Sequence, residues 1–168
     1  MELQVEQVVA QFETELREQK CVSGVLDLLL EQLGGRAIGL WRCEAGNLLQ
    51  VGFRAVPDMD QQVQQDFAAL THQVSLENTG LGIVKAALER KPAIGMLSST
   101  QSGLPGSSEW LLKFGAQQSY AVPVFEADEV AGVLAISTDC IHQAGDAEWE
   151  IQTRIADGIG KKKLLGML

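Results

Sequence analysis

The feature that most constrains this chain is a pair of alternating segments near its carboxyl end. Residues 117–125 and 130–137 alternate as β-strands do, and a short acidic turn at 126–129 separates them. A loop of this length joins neighbouring antiparallel strands, because parallel strands need a crossover of a dozen residues or more. The sequence therefore predicts a β-hairpin here. Pro123 has no N–H group, so we expect it at a bulge or facing away from the ladder.

A second hairpin is predicted closer to the amino end. Residues 36–43 and 48–56 alternate in the same way, and a turn at 44–47 that contains Gly and Asn joins them. A further short strand is expected over residues 93–97. The two hairpins lie towards the two ends of the chain, with other elements between them.

Helical periodicity accounts for the remaining segments. Residues 1–20 carry an apolar stripe flanked by glutamates and predict an amphipathic helix. Residues 25–33 are apolar around most of the helix and end at Gly34-Gly35, which predicts a buried helix. The two segments are compatible with one long helix bent near Gly24. Further helices are expected over residues 58–70, 82–90, 107–114 and 146–165.

The order of these elements favours an α+β fold, an α/β sandwich. Hairpins at both ends with helices between them indicate a largely antiparallel sheet covered by helices, not a doubly wound parallel sheet. A dinucleotide-binding fold is not supported, because Gly80-Leu81-Gly82 is too short for the fingerprint and follows a polar stretch. With 168 residues, the chain is predicted to form a single domain over residues 1–168.

Composition excludes several classes of partner. Thirteen Lys and Arg against 22 Asp and Glu give a formal charge of -9, the wrong sign for binding nucleic acid. The chain has no run of about 18 apolar residues and no basic start, so we expect no membrane partner and a cytoplasmic location. Cys21, Cys43 and Cys140 include no CxxC pair, so neither a disulfide framework nor a zinc site is expected.

Four blocks follow one another along the chain: Gly80-Leu81-Gly82-Ile83-Val84, Arg90-Lys91-Pro92-Ala93-Ile94, Gln118-Ser119-Tyr120-Ala121-Val122-Pro123-Val124 and Val130-Ala131-Gly132-Val133-Leu134-Ala135-Ile136-Ser137. In this order they resemble the successive blocks of the GAF domain family. The resemblance covers roughly residues 24–157, and its most specific part is the order Ser, Val-Pro, turn, Gly-Val-Leu. It implies a central antiparallel sheet of five or six strands. The first and last helices would cover one face, and the middle helices and loops the other.

Two departures from the family pattern concern local chemistry. The family often has an Asp after the strand that follows Lys-Pro, where this chain has Ser98-Ser99-Thr100. The glycine usual in the final hairpin turn is replaced by Ala127-Asp128. We expect Asp128 to adopt the left-handed conformation there. The first departure alters the chemistry beside any pocket, and neither alters the fold.

The resemblance implies a sensory or regulatory module. Domains of this family bind a small ligand between the sheet and the middle helices, or pair with a second copy through their terminal helices, and pass a signal to an output domain. We therefore predict a non-enzymatic module that binds a small molecule noncovalently, forms a homodimer, or both, with an output protein as a further partner. No cofactor is expected. A dimerisation scaffold without a ligand is an alternative.

A redox enzyme is the other alternative, because one branch of the GAF family reduces free methionine sulfoxide with clustered cysteines. That chemistry needs a nucleophilic thiolate and a resolving thiol within reach. The cysteines of this chain do not match that branch, so no catalytic residue is predicted. Cys140-Ile141-His142 lacks the spacing for bilin attachment, and the Asn-Lys pair of the cyclic-nucleotide branch is missing. His72 and His142 have no metal-ligand spacing.

A candidate ligand site combines small polar groups with apolar walls. The serines and threonine after residue 97 supply hydrogen-bonding groups, Trp110 and Phe114 supply walls, and Arg54 can face a carboxylate or phosphate. Alternatively, the two aromatic residues belong to the core and Arg54 is solvated. The predicted ligand-binding residues are Arg54, Ser98, Ser99, Thr100, Ser102, Trp110 and Phe114.

Apolar stripes on the two terminal helices predict the homodimer interface. One sheet face does not obviously absorb both stripes, and a helical bundle between two copies would bury the excess. Packing of the same stripes within one chain is the alternative. The predicted interface residues are Val5, Val9, Phe12, Leu16, Trp149, Ile151, Ile155 and Ile159.

Overall fold

A six-stranded antiparallel sheet organises the molecule. The computed structural model describes residues 4–19, 21–97 and 105–168. The strand order across the sheet is β3-β2-β1-β6-β5-β4, and every neighbouring pair is antiparallel. The strands are β1 Gly35–Glu44, β2 Asn47–Ala55, β3 Gln73–Ser75, β4 Ala93–Met96, β5 Gln118–Glu126 and β6 Glu129–Thr138.

Helices cover both faces of the sheet, as the sequence predicts. Strands β1 and β6 pair in the middle, so the two predicted hairpins, β1–β2 and β5–β6, form the centre of one continuous sheet. Helices α1, α2 and α6 share one apolar cluster, and α3, α4 and α5 share another on the opposite face. The helices are α1 Val5–Glu18, α2 Ser23–Gln32, α3 Gln61–Leu70, α4 Gly82–Glu89, α5 Pro105–Phe114 and α6 Ala147–Lys161, followed by a 3-10 turn at Leu165–Met167. No helix within the described residues is long and apolar enough to cross a membrane.

The amino-terminal segment forms two helices, so the single bent helix is wrong. The chain leaves α1 after Glu18 and enters α2 at Ser23. The buried carboxylate of Glu15 accepts a hydrogen bond from the backbone N–H of Val25 at 3.1 Å and one from Gln11 Nε2 at 2.6 Å. Glu15 thus satisfies an N–H group that the first turn of α2 leaves without an intrahelical partner.

The terminal-helix stripes are buried within one chain, which corrects the interface assigned to them. Phe12, Ile155 and Ile159 have no exposed area, and the other residues of the set are buried or packed against the same cluster. Val9 lies against Gly158 of α6, so α1 and α6 pack directly on each other. Because these side chains are already removed from water, they leave no excess apolar area for a partner. The formation of a homodimer itself stays a prediction.

The turn and the proline of the β5–β6 hairpin agree only in part with what the sequence predicts. Ala127 takes the left-handed conformation with φ 55°, so the assignment to Asp128 is wrong. Pro123 lies beyond the part of β5 that pairs with β4 and next to a register shift at Val124/Phe125, as its missing N–H group requires.

Candidate functional site

Small residues on the three central strands form the floor of a cavity. Ala37 pairs with Ser137 across β1 and β6, while Ser119 pairs with Ser137 and Ala121 with Ala135 across β5 and β6. Their side chains point to the face covered by α3, α4 and α5, since residues two apart on a strand share a face. Short side chains keep the floor low, so space remains between the sheet and the helices.

Five aromatic rings form a wall of the cavity, three of them from helices α3 and α5 and two from strands β1 and β2. Phe67 of α3 is central, with ring centroids 4.9 Å from Phe53, 5.0 Å from Trp110 and 5.0 Å from Phe114. Trp41 meets Phe67 edge-on at 6.4 Å. Such tilted and edge-to-face contacts stabilise aromatic clusters beyond the burial of area alone.

Hydrogen bonds fix the Trp41 side of this wall. Trp41 Nε1 donates to the carbonyl oxygen of Thr71 at 2.9 Å, and Thr71 Oγ1 donates to the carbonyl oxygen of Phe67 at 2.8 Å. Gln50 Nε2 donates to Thr71 Oγ1 at 3.0 Å. A side chain at Gly39 would clash with the Trp41 ring, so glycine at this position lets the indole lie flat over β1.

The cavity has a volume of ≈ 60 Å³. A water molecule needs roughly 10–15 Å³ by the same measure, so the cavity has room for several heavy atoms. Its lining is predominantly apolar, with Leu81 and Ile83 at the start of α4 completing it. Two polar groups face it, the hydroxyls of Ser119 and Ser137. Neither has a hydrogen-bond partner among the residues that the structure describes.

The structure brings together only part of the predicted ligand site. Trp110 and Phe114 line the cavity, as the sequence predicts. They are also core residues of this face, so both interpretations of the pair apply. Ser98, Ser99, Thr100 and Ser102 lie outside the described residues.

Arg54 does not face the cavity, which corrects its assignment. Its neighbour Phe53 points into the aromatic cluster, so the side chain at 54 points to the opposite face. There Arg54 Nε bonds Asp27 Oδ1 of α2 at 2.8 Å, and this hydrogen bond raises the pKa of the guanidinium. The prediction failed because the direction of this side chain depends on the strand's register, which the sequence alone does not reveal.

The serine pair at 119 and 137 was missed by sequence reasoning, although a signal was present. Positions 119, 121, 135 and 137 are all small residues at alternate places on the two strands. A half-buried strand face ordinarily carries large apolar residues, so a run of small ones on paired strands indicates missing volume.

The three cysteines lie far apart. Cys43 is eight residues along β1 from Gly35, which pairs with Thr138, so Cys43 and Cys140 are separated by about 26 Å at 3.3 Å per residue. Cys21 precedes α2 on one sheet face, whereas Cys43 packs against the cluster on the other. A disulfide needs Cα atoms within about 7 Å, so Cys43 can form one with neither Cys21 nor Cys140 in this conformation.

The environments of two thiols oppose ionisation. Burial raises the pKa of Cys43, and the hydrogen bond with Asp139 raises the pKa of Cys140. A raised pKa lowers the thiolate fraction at neutral pH and so lowers nucleophilicity. In the described part of the chain, no group of three or more His, Cys, Asp and Glu residues has the geometry to hold a metal ion.

Solved structures of other proteins share this architecture. No protein-family model matches the chain, and no curated protein matches it in sequence. Among solved structures, the GAF domain of A. aeolicus NLH2 in an inactive state matches with a TM-score of 0.68 and 14% identity, covering 97% of this chain and 96% of that one. The phycoerythrobilin-bound GAF domain from a cyanobacterial phytochrome matches with a TM-score of 0.66 and 14% identity, covering 98% and 96%.

The chain has the GAF fold. A third match is the type II free methionine-R-sulfoxide reductase from Thermoplasma acidophilum, with a TM-score of 0.60 and 20% identity over 93% of this chain and 96% of that one. The neighbours with this fold therefore include GAF domains of a phytochrome and of NLH2 as well as a free methionine-R-sulfoxide reductase. At these identities the likeness is one of fold, and function depends on the cavity and the thiols.

Proposed function

We propose that this chain is a regulatory GAF module that binds a small molecule noncovalently in the cavity between the sheet and helices α3, α4 and α5. The observation that carries the proposal is the low floor of small residues beneath an aromatic wall. Concave, mostly apolar sites with a few converging polar groups are typical of small-molecule binding.

The lining defines the chemistry of the ligand. A compact apolar or aromatic body would contact Phe67, Trp110 and Phe114, and one polar group would lie between the hydroxyls of Ser119 and Ser137. Directly paired residues on neighbouring antiparallel strands have Cβ atoms about 5 Å apart, close enough for both hydroxyls to bond one ligand group. The charge on Lys113, 4.4 Å from the centroid of the Trp110 ring, strengthens the outer wall.

Native mass spectrometry of the purified chain tests the proposal. We expect a noncovalent adduct of low mass, and we expect Ala135→Leu to abolish it by filling the cavity floor. Ala10→Leu, on the exposed side of α1, is the matched control and should retain the adduct. An adduct that survives Ala135→Leu would contradict the site. A bare chain that no small molecule stabilises would favour a dimerisation scaffold.

Reduction of free methionine sulfoxide is the second candidate, because structural neighbours include reductases of that substrate. The separation of Cys43 from Cys140 and their raised pKa values argue against it. The assay is turnover of free methionine-R-sulfoxide with a thiol reductant. Turnover that is lost in Cys43→Ser or Cys140→Ser would replace the first proposal.

A further inference from the structure

Strand β4 presents an open edge. It pairs with β5 on one side, and no other strand of the described chain pairs with its outer side. Leu97 N donates to the carbonyl oxygen of Gln117 at 2.9 Å, so Leu97, Gly95 and Ala93 direct their backbone groups towards β5. The N–H and C=O groups of the intervening residues, Ile94 and Met96, therefore point outwards. Such an edge is a template for another strand.

A groove runs beside this edge on the side of α6. Its volume is ≈ 380 Å³, and Pro92, Ile94, Tyr120, Trp149 and Thr153 form much of its lining. Ile94 is 40% exposed although it lies on the face that the terminal helices cover elsewhere. The apolar surface of the groove thus continues directly from the open strand edge.

Two unpaired charges of opposite sign flank the groove. Glu150 and Arg154 of α6 both line it and are both exposed. Within the residues described, neither side chain forms an ion pair or a hydrogen bond. A two-fold axis through the groove would place each of them opposite its complement, because an isologous interface pairs residue i with j and j with i.

We infer that the β4 edge joins a second copy of this chain in a two-fold dimer. The outward groups dictate the register: Ile94 pairs with Met96 of the partner subunit, and the axis passes through Gly95. This register forms four backbone hydrogen bonds and makes one twelve-stranded sheet from two sheets of six. The exposed side chains of Ile94 from both copies then lie in the groove between the two α6 helices.

The position of α6 agrees with this register. Gln152 lies midway between Glu150 and Arg154 in α6, and its Nε2 donates to the carbonyl oxygen of Tyr120. Because Tyr120 pairs with Ile94, this midpoint lies one residue along β4 from Gly95, through which the axis passes. Helix α6 lies over β5, and three strand spacings of about 4.8 Å separate β5 from its symmetry mate. The two α6 helices would then be about 14 Å apart, a gap that an Arg and a Glu side chain bridge together.

Sedimentation equilibrium of the full chain with charge variants tests the dimer. Glu150→Arg or Arg154→Glu alone places like charges opposite each other, so we expect each to raise the dimer Kd about tenfold. The double exchange restores complementarity and should return the Kd to within about threefold of the parent. An equimolar mixture of the two single variants should form a heterodimer, since one presents two arginines and the other two glutamates.

A backbone variant tests the strand pairing separately. Ile94→Pro removes an outward N–H group, which an edge strand tolerates, and should raise the Kd at least about tenfold. Ile94→Val keeps the group and should leave the Kd nearly unchanged. A monomer at all concentrations, a dimer insensitive to Ile94→Pro, or a double exchange that fails to restore association would overturn the inference. These outcomes are independent of whether the cavity binds a ligand.

Discussion

Glu15 shows how one side chain can decide where two helices separate. Its carboxylate receives the N–H of Val25 while its own backbone belongs to α1. Gly24 permits this contact, because a Cβ there would lie 2.9 Å from Glu15 Oε2. The glycine therefore accommodates a buried cap in addition to starting a helix.

Removal of this cap should destabilise the fold. Glu15→Ala leaves the N–H of Val25 buried without its acceptor, so we expect the free energy of unfolding to fall by about 1–3 kcal/mol. Urea denaturation measures the change. The matched control is Glu18→Ala on the exposed side of the same helix, which should change it by less than about 0.5 kcal/mol. Equal losses in the two variants would refute the capping role.

Cys140 offers a test of thiol chemistry at a single residue. Its side chain is exposed, and Asp139 raises its pKa. Asp139→Asn removes the carboxylate charge beside the thiol, so the pKa of Cys140 should fall. The alkylation rate of Cys140 at neutral pH should then rise severalfold. Mass spectrometry after timed iodoacetamide treatment follows each thiol separately. Cys43 is the internal control, since its pKa is raised by burial and its rate should stay constant.

The lack of a side chain at Gly160 lets α6 lie close to the sheet. A Cβ at Gly160 would clash with the carbonyl oxygen of Phe125 in β5, a backbone atom that cannot rotate away. Gly160→Ala should therefore push α6 from the sheet and lower the free energy of unfolding by about 1–3 kcal/mol. Gly166→Ala is the control, because its nearest neighbour lies 3.4 Å away. Thermal unfolding of the two variants should differ clearly, and similar midpoints would contradict the close approach.

An ion pair joins the two terminal helices and gives their packing a dependence on pH. Lys162 Nζ bonds Glu13 Oε2 at 3.1 Å, and this hydrogen bond lowers the pKa of Glu13. A carboxyl group whose pKa is lowered in the folded state contributes stability that is fully present above its unfolded-state pKa. This contribution is lost as the pH falls through the folded-state pKa. Lys162→Gln should thus be slightly less stable than the parent at neutral pH. The difference should vanish as the pH falls through the lowered folded-state pKa of Glu13, and a difference that persists at still lower pH would point to lost packing instead.

Elements whose contacts are local in sequence were predictable. Both hairpins follow from periodicity, because each hairpin needs only a short loop and two alternating runs. The division of the helices between the two faces was implied by the resemblance to the GAF family. Strand β3 was missed, since its three residues show no period and exist only through pairing with β2. The cap by Glu15 and the ion pair of Arg54 depend on tertiary placement, which no local pattern encodes.

At the scale of the whole molecule, the two faces of the sheet differ in how they are filled. The face under α1, α2 and α6 is packed mostly with aliphatic side chains, together with Phe12, Tyr120 and Trp149. The face under α3, α4 and α5 combines a floor of small residues with aromatic rings and leaves a cavity. The sequence predicted Trp110 and Phe114 at that cavity but not its floor. Its volume depends on which strands become neighbours.

Ligand-dependent thermal stabilisation tests whether the cavity under α3, α4 and α5 binds a small molecule. A library of small aromatic and apolar compounds with one polar group is screened against the parent chain, Ala135→Leu and Ala10→Leu. A ligand that binds only the folded state raises the unfolding temperature in proportion to its occupancy. We expect compounds that stabilise the parent and Ala10→Leu but leave Ala135→Leu unchanged. Compounds that stabilise all three chains equally, or none that stabilises the parent, would contradict a ligand site in this cavity.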